Sequence, residues 1–80
     1  MARGEMQLPK GYERVGITWC AKRGPRKLEL SRFRRTPGEP LIEWHAKGWI
    51  GTDRYEPKLD QYFGNDLHTA IQRAEEFLNG

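Results

Sequence analysis

Cysteine is almost absent from this 80-residue chain, and long apolar runs are absent altogether. The single cysteine, Cys20, excludes an intramolecular disulfide framework, and a cysteine-based zinc finger would need at least two thiolates. No apolar run is longer than three residues, so the sequence predicts neither a secretory signal nor a membrane-spanning segment. We therefore expect a cytoplasmic protein in a reducing compartment, without a membrane partner.

Nucleophiles and metal ligands are equally scarce. Ser31 and Cys20 are the only serine and cysteine, and nothing in their spacing orders them with a histidine into a catalytic triad. Glu43 and His45 share one face of a predicted strand, which a surface pair explains as well as acid–base chemistry does. A zinc site from Cys20, His45 and His68 would require three distant elements to converge. We expect a non-catalytic protein with no metal and no cofactor.

Alternating apolar residues predict an antiparallel sheet. Period-2 patterns mark strands within residues 12–20, 27–35 and 41–50, separated by turns that contain Gly-Pro and Pro-Gly. Residues 54–63 are a candidate fourth strand, which Pro57 confines to an edge or a loop. Residues 1–11 have no periodicity and are predicted to be a flexible arm preceding a single domain, 12–80.

Side-chain alternation also predicts which residues are buried. Val15, Ile17 and Trp19 are expected to share the buried face of the first strand, and Trp19 and Trp44 to lie in the core. Apolar residues at helical spacing over 67–78 predict an amphipathic helix. Gly64-Asn65-Asp66 supplies a break and an N-cap oxygen before it, and Asn79-Gly80 suits its end. The predicted fold class is therefore α+β, a three- or four-stranded antiparallel sheet with one C-terminal amphipathic helix packed on one face.

Positive charge is concentrated in one segment. The net charge is +3, yet residues 22–35 contain seven basic residues and one acidic residue, a local net charge of +6. Such a block attracts phosphates if it lies on one face, although a solvated hairpin is the alternative reading. The seven basic residues are Lys22, Arg23, Arg26, Lys27, Arg32, Arg34 and Arg35.

Aromatic residues accompany this basic block. Trp49 shares its strand phase with Lys47 and is a candidate for stacking on a base, while Phe33 lies among the arginines. The alternative is that both rings close a small core. The predicted nucleic-acid-binding residues are thus the seven basic residues together with Lys47 and Trp49.

The order of the predicted elements resembles that of the positive-cofactor-four family of single-stranded-DNA-binding transcription proteins. The similar stretch covers about residues 15–79, including the 27–30 and 41–44 strand segments and the helix end at 74–78. The resemblance implies a homodimer that grips separated strands. A three-stranded sheet with one helix is also similar to the arm-binding domains of phage integrases, which would place the sheet in a duplex groove.

Two functions therefore follow from the sequence. The first is a non-catalytic nucleic-acid-binding module, with single-stranded or duplex DNA expected rather than RNA. The second is a small inhibitor or adaptor, for example one encoded by a phage or mobile element. It would bind an acidic protein surface through its basic patch or an open sheet edge.

Overall fold

The computed structural model describes residues 8–38, 41–53 and 55–80. Each strand pairs antiparallel with the next in sequence, so the sheet order is β1-β2-β3-β4-β5, and one helix follows. No helix in these ranges is long and apolar enough to cross a bilayer. The elements are β1 (Glu13–Val15), β2 (Thr18–Arg23), β3 (Arg26–Phe33), β4 (Glu43–Ile50), β5 (Leu59–Gly64) and α1 (Leu67–Asn79).

The prediction of three or four strands is wrong, because the first predicted strand is a hairpin. Val15 pairs directly with Thr18, which leaves Gly16 and Ile17 as a two-residue turn. Gly16 has a φ of 64° and Ile17 does not have positive φ, the combination of a type II′ turn. The turn also removes Val15 and Ile17 from the core, since they are 62% and 56% exposed.

The fifth strand, Leu59–Gly64, overlaps the predicted 54–63 segment and extends one residue beyond it. β5 begins two residues after Pro57 and pairs only with β4, so it is an edge strand, as the proline indicated. A register shift between Trp44 and His45 interrupts its pairing. Beyond the shift, Tyr62 lies directly opposite His45.

The core lies between the helix and one face of the sheet. Trp19 and Trp44 are both buried as predicted, and their ring centroids are 5.7 Å apart. Leu8 packs against this core although it falls within the predicted arm, of which residues 1–7 lie outside the described ranges. The buried apolar residues are Trp19, Ala21, Leu28, Leu30, Trp44, Ala46, Leu59, Ala70, Ala74, Phe77 and Leu78.

The helix begins and ends as the sequence predicts. Asp66 is the N-cap, and its carboxylate accepts the Thr69 backbone N–H at 3.0 Å. A hydrogen bond from the Thr69 hydroxyl, together with this one from its backbone N–H, holds the pKa of Asp66 below its usual range. Ala70 and Ala74 are fully buried, so the helix approaches the sheet closely at these small residues.

Gly48 is required because the helix covers it. A Cβ atom at this position would lie 2.5 Å from Cε2 of Phe77, well inside van der Waals contact. We expect Gly48→Ala to cost about 1–3 kcal/mol of unfolding free energy, since overpacking forces the ring or the strand to move. Urea denaturation measures this cost.

The matched control is the same substitution in a Phe77→Leu background, where the ring is gone. We expect the cost of Gly48→Ala to fall there, a non-additivity typical of residues in contact. Equal costs in both backgrounds would contradict the assigned clash.

Candidate nucleic-acid interface

In the basic hairpin, lysine and arginine occur in mirror-image order on the two sides of the turn, and the strand register pairs each with its own kind. Residues 22–27 read Lys-Arg-Gly-Pro-Arg-Lys, and the two-residue turn at Gly24 and Pro25 pairs arginine with arginine and lysine with lysine. Directly opposed residues project to the same side of a sheet, and successive residues to opposite sides. Arg23 and Arg26 are each two residues from a buried residue on their own strand, Ala21 and Leu28, so both arginines face the helix. Both lysines therefore face the uncovered side, which we call the bare face.

The arginine pair, Arg23 and Arg26, binds the end of the helix. Arg23 Nη1 donates to Glu75 Oε1 at 3.1 Å and to Asn79 Oδ1 at 2.6 Å. Arg26 Nη1 donates to the backbone carbonyl of Phe77 at 3.0 Å, and its guanidinium lies 5.2 Å from that ring's centroid. The last helical turn has no basic residue of its own, so the hairpin supplies the positive charge that a helix C-terminus favours.

Glu75 joins three parts of the chain. It accepts hydrogen bonds from Arg23 and from the Tyr12 hydroxyl, the latter at 2.8 Å. Burial, together with this bond to a carboxylate, raises the pKa of Tyr12 above its ordinary value. The residues before β1, the hairpin and the helix are therefore held by one side chain.

The remaining three arginines lie at the far end of β3. Arg32 is on the helix side, 5.7 Å from the Trp19 ring centroid. Arg35 donates to both carboxylate oxygens of Glu43, at 2.7 and 2.9 Å, and these bonds hold the pKa of Glu43 below its usual range although burial opposes them. Arg34 is exposed and lines, with Arg32, an open cavity of about 460 Å³.

The predicted cluster of seven cations is therefore not one surface. Of the five arginines, Arg23, Arg26 and Arg32 face the helix, and Arg35 is bonded to a carboxylate of the chain itself. The reason is the sheet pleat, which separates neighbours in sequence onto opposite faces. The cations brought together on the bare face are the lysines.

A row of three side chains crosses the bare face beside the hairpin turn. Lys22 is directly opposite Lys27, and Lys27 is directly opposite Trp49. We call these the lysine–tryptophan row. Lys47 lies on the same face, two residues before Trp49 on β4. None of the three lysines forms an ion pair within the described ranges.

An aromatic cluster occupies the other end of the bare face. The Tyr62 ring lies 4.4 Å from the His45 ring and 5.8 Å from the Phe33 ring, centroid to centroid. Tyr62 is 61% exposed, and His45 Nε2 lies 2.5 Å from Asp60 Oδ1. Sequence reasoning missed Tyr62 because the strand that carries it was uncertain.

The two candidate nucleophiles, Ser31 and Cys20, lie in surroundings that do not activate them. Ser31 Oγ lies 3.1 Å from Thr18 Oγ1 across the β2–β3 pair. Burial raises the pKa of the Cys20 thiol, which favours the protonated, unreactive form. In the part of the chain that the structure describes, no three His, Cys, Asp or Glu side chains form a group that could hold a metal.

Comparisons with family models, with curated proteins and with solved structures gave no match to this chain. The resemblance to the positive-cofactor-four family, and the homodimer that it implies, therefore stay predictions.

The Arg35–Glu43 pair should make stability depend on pH. A carboxylate with a lowered pKa stabilises the fold above its unfolded pKa of about 4.3 and loses that contribution as pH falls through the folded value. We expect Arg35→Gln to lower the melting temperature at neutral pH, and the deficit to shrink as the pH approaches about 3.

Arg34→Gln is the matched control, because Arg34 is the exposed neighbour and no described carboxylate pairs with it. Thermal unfolding followed by circular dichroism gives both profiles. An Arg35→Gln deficit that stays constant with pH would contradict the assigned pair.

Proposed function

We propose that the chain is a non-catalytic module that binds single-stranded nucleic acid on the bare face of its sheet. The observation that carries this proposal is the lysine–tryptophan row. Two ammonium groups directly opposed on a sheet repel each other, and no described carboxylate pairs with them. A phosphate group bound between them would remove that repulsion.

Aromatic rings at both ends of the bare face favour a single-stranded ligand over a duplex. Unpaired bases stack on exposed rings without sequence readout, whereas the bases of a duplex are already stacked. Trp49 and His45 are four residues apart on β4, which corresponds to about 13 Å along the strand. The face thus offers the half-buried Trp49 ring beside the lysines and the exposed Tyr62 ring, opposite His45, further along the sheet.

Carboxylates on the same face limit the affinity to be expected. Glu13 and Glu29 flank Cys20 across the sheet, and Asp60 is held by His45. These negative charges weaken the binding of a polyanion, so binding depends on the end of the bare face that carries the lysine–tryptophan row. The single cysteine agrees with a cytoplasmic location, which we include in the proposal.

Removing both lysines of the row should reduce the salt dependence of binding. A single strand gives a slope of log K against log salt of about −0.7 for each phosphate that is neutralised. For Lys22→Gln/Lys27→Gln we expect weaker binding and a slope smaller by about 1.4. Fluorescence anisotropy with labelled DNA and RNA strands between about 50 and 200 mM salt measures both quantities.

Arg34→Gln/Arg73→Gln is the matched control, with the same loss of charge from residues outside the row. Arg73 pairs with Glu76 on the helix, away from the bare face. The proposal fails if both double variants change the slope equally, or if the unaltered protein binds no strand.

Trp49 should contribute stacking energy in addition to the electrostatic attraction. We expect Trp49→Leu to weaken single-strand binding about 5- to 150-fold, the range that corresponds to roughly 1–3 kcal/mol for one stacked base. The salt slope should stay unchanged, because no charge is lost. Trp49→Phe should retain most of the affinity, and a leucine variant that binds as well as the phenylalanine variant would contradict stacking.

A protein partner is the second candidate function. The observation that favours it is the exposure of Val15 and Ile17, together with the cavity that Ile17 shares with Arg32 and Arg34. An apolar edge beside two arginines suits an acidic protein surface. This reading predicts that nuclease treatment leaves a captured partner in place and that the lysine–tryptophan row can be removed without effect.

A further inference from the structure

A small cavity lies beside the lysine–tryptophan row. Its volume is about 190 Å³, and it is lined by Lys27, Glu29, Trp49 and Gly51. Pockets for drug-sized ligands measure roughly 300–1,000 Å³, so this one suits a flat group the size of one base. The Gly51 backbone N–H donates to the Pro25 carbonyl at 2.7 Å, which ties the loop after β4 to the hairpin turn and fixes the cavity wall.

Two polar groups at this cavity have unused hydrogen-bonding capacity. Glu29 is half-buried and lies directly opposite Lys47, but its carboxylate has no hydrogen bond or ion pair among the described residues. Trp49 Nε1 is buried and likewise has no partner there. A buried N–H without a partner costs free energy, whereas the Glu29 carboxylate is open to solvent and can accept a hydrogen bond from a bound ligand.

A free carboxylate is an obstacle to simple phosphate binding. It repels the backbone that Lys27 attracts, and it is two residues away on the same face of β3. The Glu29 carboxylate favours binding only if it accepts a hydrogen bond from the ligand. Nucleobases donate to carboxylates through amino groups, for example N4 of cytosine, and through ring N–H groups. The one ring N–H of a uracil or thymine nucleotide, at N3, lies between two carbonyl oxygens that repel a carboxylate, so an amino group is the better donor here.

We propose that this cavity selects a nucleobase that bears an amino group, stacked on Trp49 and donating to Glu29, while Lys27 contacts the adjoining phosphate. The inference rests on the proposed single-strand binding and adds the identity of the base. Uracil and thymine place a carbonyl oxygen where cytosine has its amino group. That oxygen would face the carboxylate without a proton between them.

The test compares two ligands that differ in this one group. Strands of about twelve nucleotides, within the site sizes of small single-strand binders, are made of deoxycytidine or of deoxyuridine. Anisotropy is measured above neutral pH, where cytosine is uncharged. We expect the deoxycytidine strand to bind at least about 5-fold more tightly, which is the lower end of the discrimination given by a good base contact.

Glu29→Gln gives a second readout, because its effect should differ in sign between the two strands. Loss of the carboxylate should weaken deoxycytidine binding and strengthen deoxyuridine binding, since an amide can donate to the carbonyl. Glu13→Gln is the matched control, an exposed carboxylate on the same face outside the cavity lining. It should strengthen binding of both strands by a similar small factor.

The outcomes separate the two proposals. Equal, salt-dependent binding of both strands overturns base selection and leaves single-strand binding intact. A uniform gain in affinity for Glu29→Gln, matching Glu13→Gln, also overturns base selection. No binding of either strand overturns both proposals.

Discussion

Burial of the apolar face of the sheet against the helix determines which face is covered, and the contact between the arginine pair and the end of the helix lies on that face. Arg23 and Arg26 approach from adjacent strands and bind a glutamate, an asparagine and a backbone carbonyl within the last helical turns. The helix lacks basic residues there, so its carbonyl groups depend on the hairpin. With the helix held on this side, the other side remains bare.

The division of charge follows from that arrangement. A hairpin of six residues carries four cations, but pairing across the Gly-Pro turn sends two to each face. The arginines suit the covered face, because a guanidinium donates several hydrogen bonds in a plane and can also stack on Phe77. The lysines suit the bare face, where a compact, hydrated charge can meet a mobile phosphate backbone.

Much of the fold was predictable from periodicity, while the charged site was not. The helix and the two core tryptophans follow from spacing, and the residue types in Gly64-Asn65-Asp66 indicated where the helix begins. The extra strand was missed because Gly16 lies inside an apolar alternation that reads as one continuous strand. Its positive φ creates the turn, and that angle leaves no trace in hydrophobicity.

The basic residues were grouped by their closeness in sequence, although their strand phase already divides them. Leu28 and Leu30 point inward, so Arg26 and Arg32 on the same strand must do so too. The mirror-image order of lysine and arginine around Gly24 and Pro25 was a further signal for the pairing of lysine with lysine. Nothing in the sequence indicated the cavity at Glu29, because it depends on the loop after β4 lying against the hairpin turn.

The nearest-neighbour order of the strands affects how the chain folds during its synthesis. Every sheet contact joins segments adjacent in sequence, and such local topologies close quickly with little loop entropy to overcome. The helix that shields Trp19 and Trp44 is nevertheless translated after all five strands. On the ribosome, the sheet therefore has its two large indole rings uncovered until the helix has emerged, an interval in which a nascent chain is most exposed to aggregation.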